Sequence, residues 1–246
     1  MTWMSPTSSS ETRPAVQRRA ELAARLAEVT DRIGAACAAA GRDPGEVTLI
    51  AVTKTRPATD VRLLNALGVT DFGENRDQEA APKAAACADL PITWHFVGQL
   101  QTNKAPSVVR YADVVHSVDR PRLVLALGAA ARAADRVLTC LVQVSLDGDP
   151  ARGGARADQV PAVAEAVEAE RGLLLGGVMA VAPLGMPPAA AFAALRERSA
   201  AVRSVRPDAA IISAGMSDDM EPAIEAGATH LRIGTALLGA RRPPVR

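Results

Sequence analysis

The chain has 246 residues, 48% hydrophobic and 22% charged, with Lys+Arg 28 against Asp+Glu 27 for a formal net charge of +1. That is ample for one large core, and it lies away from collagen-like, disulfide-scaffold and disordered compositions. The balanced charge provides no overall field for a polyanion, so nucleic-acid and anionic-membrane roles lose their simplest support, and any bound anion must be held by local groups.

The Ser- and Thr-rich start carries no apolar stretch and does not make a signal peptide. Residues 1–13 read as a disordered extension ahead of a single domain over 14–246. Residues 15 to 40 form an amphipathic helix, with Leu22, Leu26, Val29 and Ile33 recurring at three or four and Gly41 closing it. No run of about 18 uncharged apolar residues occurs, so a membrane span is not expected and the protein reads as soluble and cytoplasmic. Cys37, Cys87 and Cys140 are scattered, without a CxxC or a histidine at ligand spacing. They read as reduced buried thiols, and no metal site is expected.

An alternation follows. Short apolar runs lie at Val47 to Val52, Asp71 to Glu74, Thr93 to Gly98, Asp113 to Val118, Leu138 to Leu146, Leu173 to Val181, Ala209 to Ala214 and His230 to Ile233. Helical stretches separate them: Ala58 to Leu67, Asp77 to Ala88, Asn103 to Tyr111, Arg120 to Ala134, Ala157 to Glu170, Pro188 to Val205, Asp218 to Ala226 and Thr235 to Leu238. Ser217 before two aspartates looks like an N-cap. Eight strand–helix units argue for an α/β fold, a single (β/α)8 TIM-type barrel with an additional N-terminal helix. A doubly wound open sheet is the alternative.

In a barrel, function sits past the C-terminal ends of the strands. The chain has only three lysines, Lys54, Lys83 and Lys104. Lys54 follows strand 1 by two residues, where it is either a loop lysine or an amine at the barrel mouth able to form a Schiff base. Lys83 and Lys104 fall inside polar-faced helices and read as solvated charges. Asn75, after strand 2, either lines a site or starts the next helix. His95, between two aromatics, reads first as a satisfied core histidine. Gly215 and Gly234, with Ser213 and Thr235, give the loops after strands 7 and 8 the small residues and hydroxyls of a phosphate site. Arg232 alternates with Leu231 and Ile233, so if that apolar pair packs outward on the helices, the guanidinium points into the barrel mouth. Unpartnered there, it would suggest a ligand. An amine, an arginine and two phosphate-type loops together describe pyridoxal 5′-phosphate (PLP).

The segments AVTKT (51–55), FGEN (72–75), WHFVGQLQTNK (94–104), GVMAVAP (177–183), SAGMSDDM (213–220) and RIGTALLGAR (232–241) strongly resemble the pyridoxal phosphate homeostasis protein family, which looks like the barrel half of alanine racemase. The resemblance spans roughly residues 15 to 241. It implies a PLP-binding barrel with Lys54 as the Schiff-base lysine and Arg232 at the pyridine nitrogen, and Asn75, from its place after strand 2, is expected among the cofactor-binding residues. It further implies phosphate held by Ser213, Gly215, Met216, Gly234 and Thr235. Ala214 and Thr102 depart from the family pattern without touching this chemistry.

An arginine at the ring nitrogen keeps the ring a weak electron sink. A racemase would also need a second acid/base group, which in alanine racemase is a tyrosine from a second domain. This chain ends at Arg246 and has one tyrosine, Tyr111, at the end of a helix. The expected function is therefore intracellular PLP homeostasis, as a reservoir or delivery protein with little or no catalysis and no catalytic residues assigned. The expected partners are PLP and apo forms of PLP-dependent enzymes, and the expected state is monomeric. The alternative is a low-activity amino-acid racemase, using Lys54 and either His95 or a water.

Overall fold

The computed structural model describes residues 13–149 and 152–240. The elements run α1 (Arg13–Ala39), β1 (Thr48–Val52), α2 (Ala58–Ala66), β2 (Asp71–Glu74), α3 (Asp77–Ala86), β3 (Thr93–Phe96), α4 (Ala105–Val108), β4 (Val114–Val118) and α5 (Pro121–Ala133). They continue with β5 (Leu138–Gln143), α6 (Val160–Ala169), β6 (Leu173–Met179), α7 (Pro188–Val205), β7 (Ile211–Ser213), α8 (Met220–Glu225), β8 (His230–Ile233) and α9 (Thr235–Leu238). The strands close in order from β1 to β8, and β8 returns parallel to β1 through Ile50–Arg232 and Ala51–Ile233. Closure excludes the open sheet. The expected disordered extension lies outside the described residues except for Arg13, which begins α1.

Most element ends fall within a few residues of expectation, and the differences have local causes. The helix expected over Asn103 to Tyr111 is split into a 3₁₀ turn, Thr102–Lys104, and α4. Pro106 has no N–H to continue a helix begun earlier and starts a new one instead. Strand 7 begins late because the Ala209 and Ala210 amides bond back to Arg206 and Asp208 rather than across the sheet.

Strand alternation sorts the side chains into two layers. Phe72 and Trp94 face outward under the helices, with ring centroids 6.0 Å apart. Ile50 and Val52 face inward, where a Cβ on Gly73 would meet their methyls at 3.1 and 3.3 Å. Gly177, at φ +147, runs so close to β7 that a Cβ there would lie 2.0 Å from the Ile211 carbonyl oxygen. The interior is not wholly aliphatic, as such barrels usually are: His95, His116, Ser213 and Arg232 are all buried.

Helix α1 buries Leu22, Val29, Ile33 and Cys37 along one face and packs against α8 and α9. Its arginines reach backbone carbonyl oxygens at the end of α9 and in the loop before α8. Arg18 donates to Leu238 O at 3.2 Å and Arg32 to Ser217 O at 3.1 Å. Just past the helix, Arg42 donates to Ile224 O and Ala228 O, each at 2.8 Å. The added helix thus braces the loops after β7 and β8 from outside. All three cysteines are buried and free. Among the described residues, no helix is long and apolar enough to cross a membrane.

Candidate functional site

Beyond Val52 the chain alternates once more and then turns. Thr53 points outward, its hydroxyl donating to Glu74 Oε1 at 2.6 Å, and Lys54, half-buried, opens the turn that follows. Thr55 then adopts φ +64, a left-handed conformation that costs a β-branched residue on the order of 1–3 kcal/mol. The Glu79 carboxylate holds this turn by accepting the Thr55 amide at 3.0 Å.

The three lysines have separated. Lys83 is not a solvated charge: it is 7% exposed, pairs with Glu74 and donates to Thr53 O at 2.8 Å. The sequence reading missed this because the polar face of α3 lies against the end of β1 rather than in water. Burial pushes the Glu74 carboxyl above its ordinary range, and the hydrogen bonds from Lys83 and Thr53 offset part of that. Lys104 is half-buried, 3.9 Å from Asp77. Among the described residues, Lys54 alone of the three makes no hydrogen bond or ion pair.

Beside the end of β1 stand the loops after β7 and β8. Gly234 lies beside the end of β1, and a Cβ placed on it would sit 3.6 Å from Val52 O. Among the described residues, the Gly234 and Thr235 amides have no acceptor. The two loops are tied together: Arg232 N–H donates to Gly215 O at 3.0 Å and Ala236 N–H to the Ser217 hydroxyl at 3.1 Å. Ser217 is therefore not the N-cap of α8 that its sequence suggested. Sequence reasoning passed it over as a site residue, although its hydroxyl two positions after Gly215 was the available signal. Gly215, at φ +88, has no room for a side chain, since a Cβ would meet Ala223 Cβ at 2.7 Å and Leu231 Cδ2 at 2.9 Å. The Met216 amide is already used, donating to Asp219 Oδ1 at 2.6 Å.

Arg232 does point into the barrel, but it is not unpartnered. Its Nη1 donates to Ser213 Oγ at 2.6 Å and its Nη2 to Ala180 O at 2.7 Å. Both acceptors are neutral, and burial pushes the guanidinium down to about 10. Ser213, fully buried, gives its hydroxyl to Arg232 and His116 rather than to the open side of the loops. Asn75 is half-buried at the neighbouring β2 end, lining a small cavity of about 130 Å³ with Gln101 and Lys104. His95 is a satisfied core histidine, bonded at both ring nitrogens. Tyr111 lies beyond α4 and faces Asp77; burial raises its phenol far above the usual range.

Among the described residues, the mouth combines an amine without a partner, backbone amides without an acceptor, and a buried guanidinium whose hydrogen bonds go only to neutral groups. That donor set fits a phosphorylated aromatic aldehyde.

The family described as alanine racemase, N-terminal domain, matches residues 25–242. The pyridoxal phosphate homeostasis protein of Mycobacterium leprae is 44% identical over 243 residues, covering 92% of this chain and 95% of the relative. Its Escherichia coli counterpart is 37% identical, covering 90% of this chain and 97% of that one. Among solved structures, PipY of Synechococcus elongatus with PLP bound superposes with a TM-score of 0.78 at 36% identity, over 89% of this chain and 100% of that chain. Alanine racemase from Corynebacterium glutamicum shares the fold, with a TM-score of 0.66 at 16% identity over 89% of this chain and 60% of that one. The chain belongs to the pyridoxal phosphate homeostasis protein family, built on the alanine racemase N-terminal domain.

Proposed function

We propose that this protein binds PLP at the barrel mouth and serves as an intracellular reservoir that delivers the cofactor to PLP-dependent apo-enzymes. When bound, PLP supplies an aldehyde open to capture by an amine and a ring that can withdraw electrons. Lys54 is the amine, Arg232 faces the ring nitrogen, and Gly234, Thr235 and Ser217 grip the phosphate, with Gly215 giving their loop its shape. The observation that carries this reading is that, among the described residues, the Lys54 amine just past β1 has no partner and the neighbouring Gly234 and Thr235 amides have no acceptor.

Delivery rather than turnover is supported by the placement of the other acid/base groups. His95 is only 2% exposed inside the barrel and Tyr111 lies outside it near α3, so neither stands across the mouth from Lys54 as racemisation requires. Borohydride reduction of PLP-loaded protein followed by peptide mapping should locate the cofactor on Lys54, and mapping to Lys83 or Lys104 would reject the site. Cofactor transfer to an apo-enzyme no faster than from free PLP would reject the delivery role, and slow interconversion of alanine or serine enantiomers would favour a racemase.

A further inference from the structure

The barrel interior contains a continuous polar chain that the cofactor site does not require. Arg232 Nη1 meets Ser213 Oγ at 2.6 Å, Ser213 Oγ meets His116 Nδ1 at 3.0 Å, His116 Nε2 meets His95 Nδ1 at 2.9 Å, and His95 Nε2 meets Asp71 Oδ1 at 2.9 Å. Asp71 is the first residue of β2, at the opposite end of the barrel from the mouth, and its side chain is 19% exposed. The chain thus runs from Arg232 through the core to a carboxylate at the far opening.

Its protons can be assigned by counting donors and acceptors. Arg232 can only donate, so the Ser213 oxygen accepts. The Ser213 proton, fully buried, then needs an acceptor, and His116 Nδ1 is the one in range. That places the His116 proton on Nε2, from which it donates to His95 Nδ1. The His95 proton is then on Nε2 and donates to Asp71, which can only accept. One direction satisfies every member. The reverse tautomers would leave the Ser213 hydroxyl proton buried without an acceptor, at a cost of about 1–3 kcal/mol. The direction of the shifts agrees: burial holds His116 well below its usual range, with the Arg232 charge adding to the effect. For Asp71, burial pushes the carboxyl up, but hydrogen bonds from His95 and Thr70 outweigh it and leave it lowered. His230, its ring centroid 6.2 Å from that of His95, bonds to the Thr229 hydroxyl and stands beside the chain rather than in it.

We propose that Asp71, His95, His116 and Ser213 are positioning residues that extend a salt bridge through four directional hydrogen bonds, so that a carboxylate at the base of the barrel orients and polarises Arg232 at its mouth. Among the described residues no carboxylate lies in hydrogen-bond range of Arg232, Asp219 acting on it only from farther away, and a polarised chain adds to the compensation that a buried cation needs. The effect on the cofactor rests on the reading that Arg232 faces the PLP ring, whereas the chain itself does not.

The experiment uses the full chain in two states. Without cofactor, ¹⁵N NMR of the imidazoles should show His95 and His116 neutral at pH 7, both protonated on Nε2. A Nδ1–H tautomer or an imidazolium at either position would overturn the chain. With ring-¹⁵N PLP bound, Asp71→Asn should shift the ring-nitrogen resonance in the same direction as Arg232→Gln and weaken PLP retention by roughly twofold to thirtyfold, the range for coupling through intervening contacts. Asp71→Glu, which keeps the carboxylate, should restore both. A response to Arg232→Gln with none to Asp71→Asn overturns the positioning role. A ring nitrogen indifferent to both variants, with the tautomers as assigned, overturns only the placement of Arg232 at the ring and with it the effect on the cofactor. Should Asp71→Asn not fold, His116→Gln provides the same comparison, because it removes the ring link while retaining a polar group.

Discussion

Burial, rather than residue type, separates the lysines. Lys54→Ala should abolish the visible absorbance of the PLP-loaded protein while leaving weak retention through the phosphate loops, as spectroscopy and equilibrium dialysis would show. Lys83→Met should instead act on folding. It leaves Glu74, which is fully buried, without its cation, and removing one partner of a buried pair costs about 3–5 kcal/mol, readable by urea denaturation. Thr55 offers the opposite sign. Glycine adopts φ +64 without the side-chain penalty, so Thr55→Gly should cost little stability or add some, while loosening the turn that presents Lys54 and speeding PLP dissociation. The position of Lys54 was legible from its place after an apolar run. The burial of Lys83 was not, because its partners Glu74 and Thr53 come from two other strand ends.

At the scale of elements, the loops after β7 and β8 carry two glycines with different duties. Gly215→Ala drives a Cβ into Ala223 and Leu231 at a positive φ, so it should destabilise the fold by on the order of 2 kcal/mol or more. Gly234 has a negative φ and meets Val52 only at ordinary contact distance. Gly234→Ala should therefore keep its melting temperature and lose PLP affinity, because its methyl occupies space beside the free amides. Equal melting losses in the two variants would contradict this division. Helix α1 takes part in the same structure, since Arg32 bonds Ser217 O and pairs with Glu221. Small residues and hydroxyls marked these loops in the sequence. The bracing arginines did not stand out, because the carbonyls they reach lie 182 to 220 residues away.

For the whole molecule, the polar barrel interior gives stability a characteristic pH dependence. Burial pushes His230 down to about 4, against about 6.5 for an unfolded histidine. The unfolded chain therefore binds protons first as pH falls, so stability is full above about 6.5 and declines toward 4, by roughly 3 kcal/mol from this group. His116, also lowered by burial, acts in the same direction. Urea midpoints measured from pH 7 to pH 5 should fall, and His230→Asn should flatten the slope. The strand–helix alternation, the count of eight, the barrel and the family were all determined by the sequence, since apolar periodicity and short glycine-rich motifs are local properties of the chain. Only the tertiary structure decided that Lys83 is buried, that Ser213 faces Arg232, and that three histidines scattered along 135 residues meet inside one barrel. Hydrogen-bond partnership depends on which strands closure brings face to face, and no local pattern of residues encodes that.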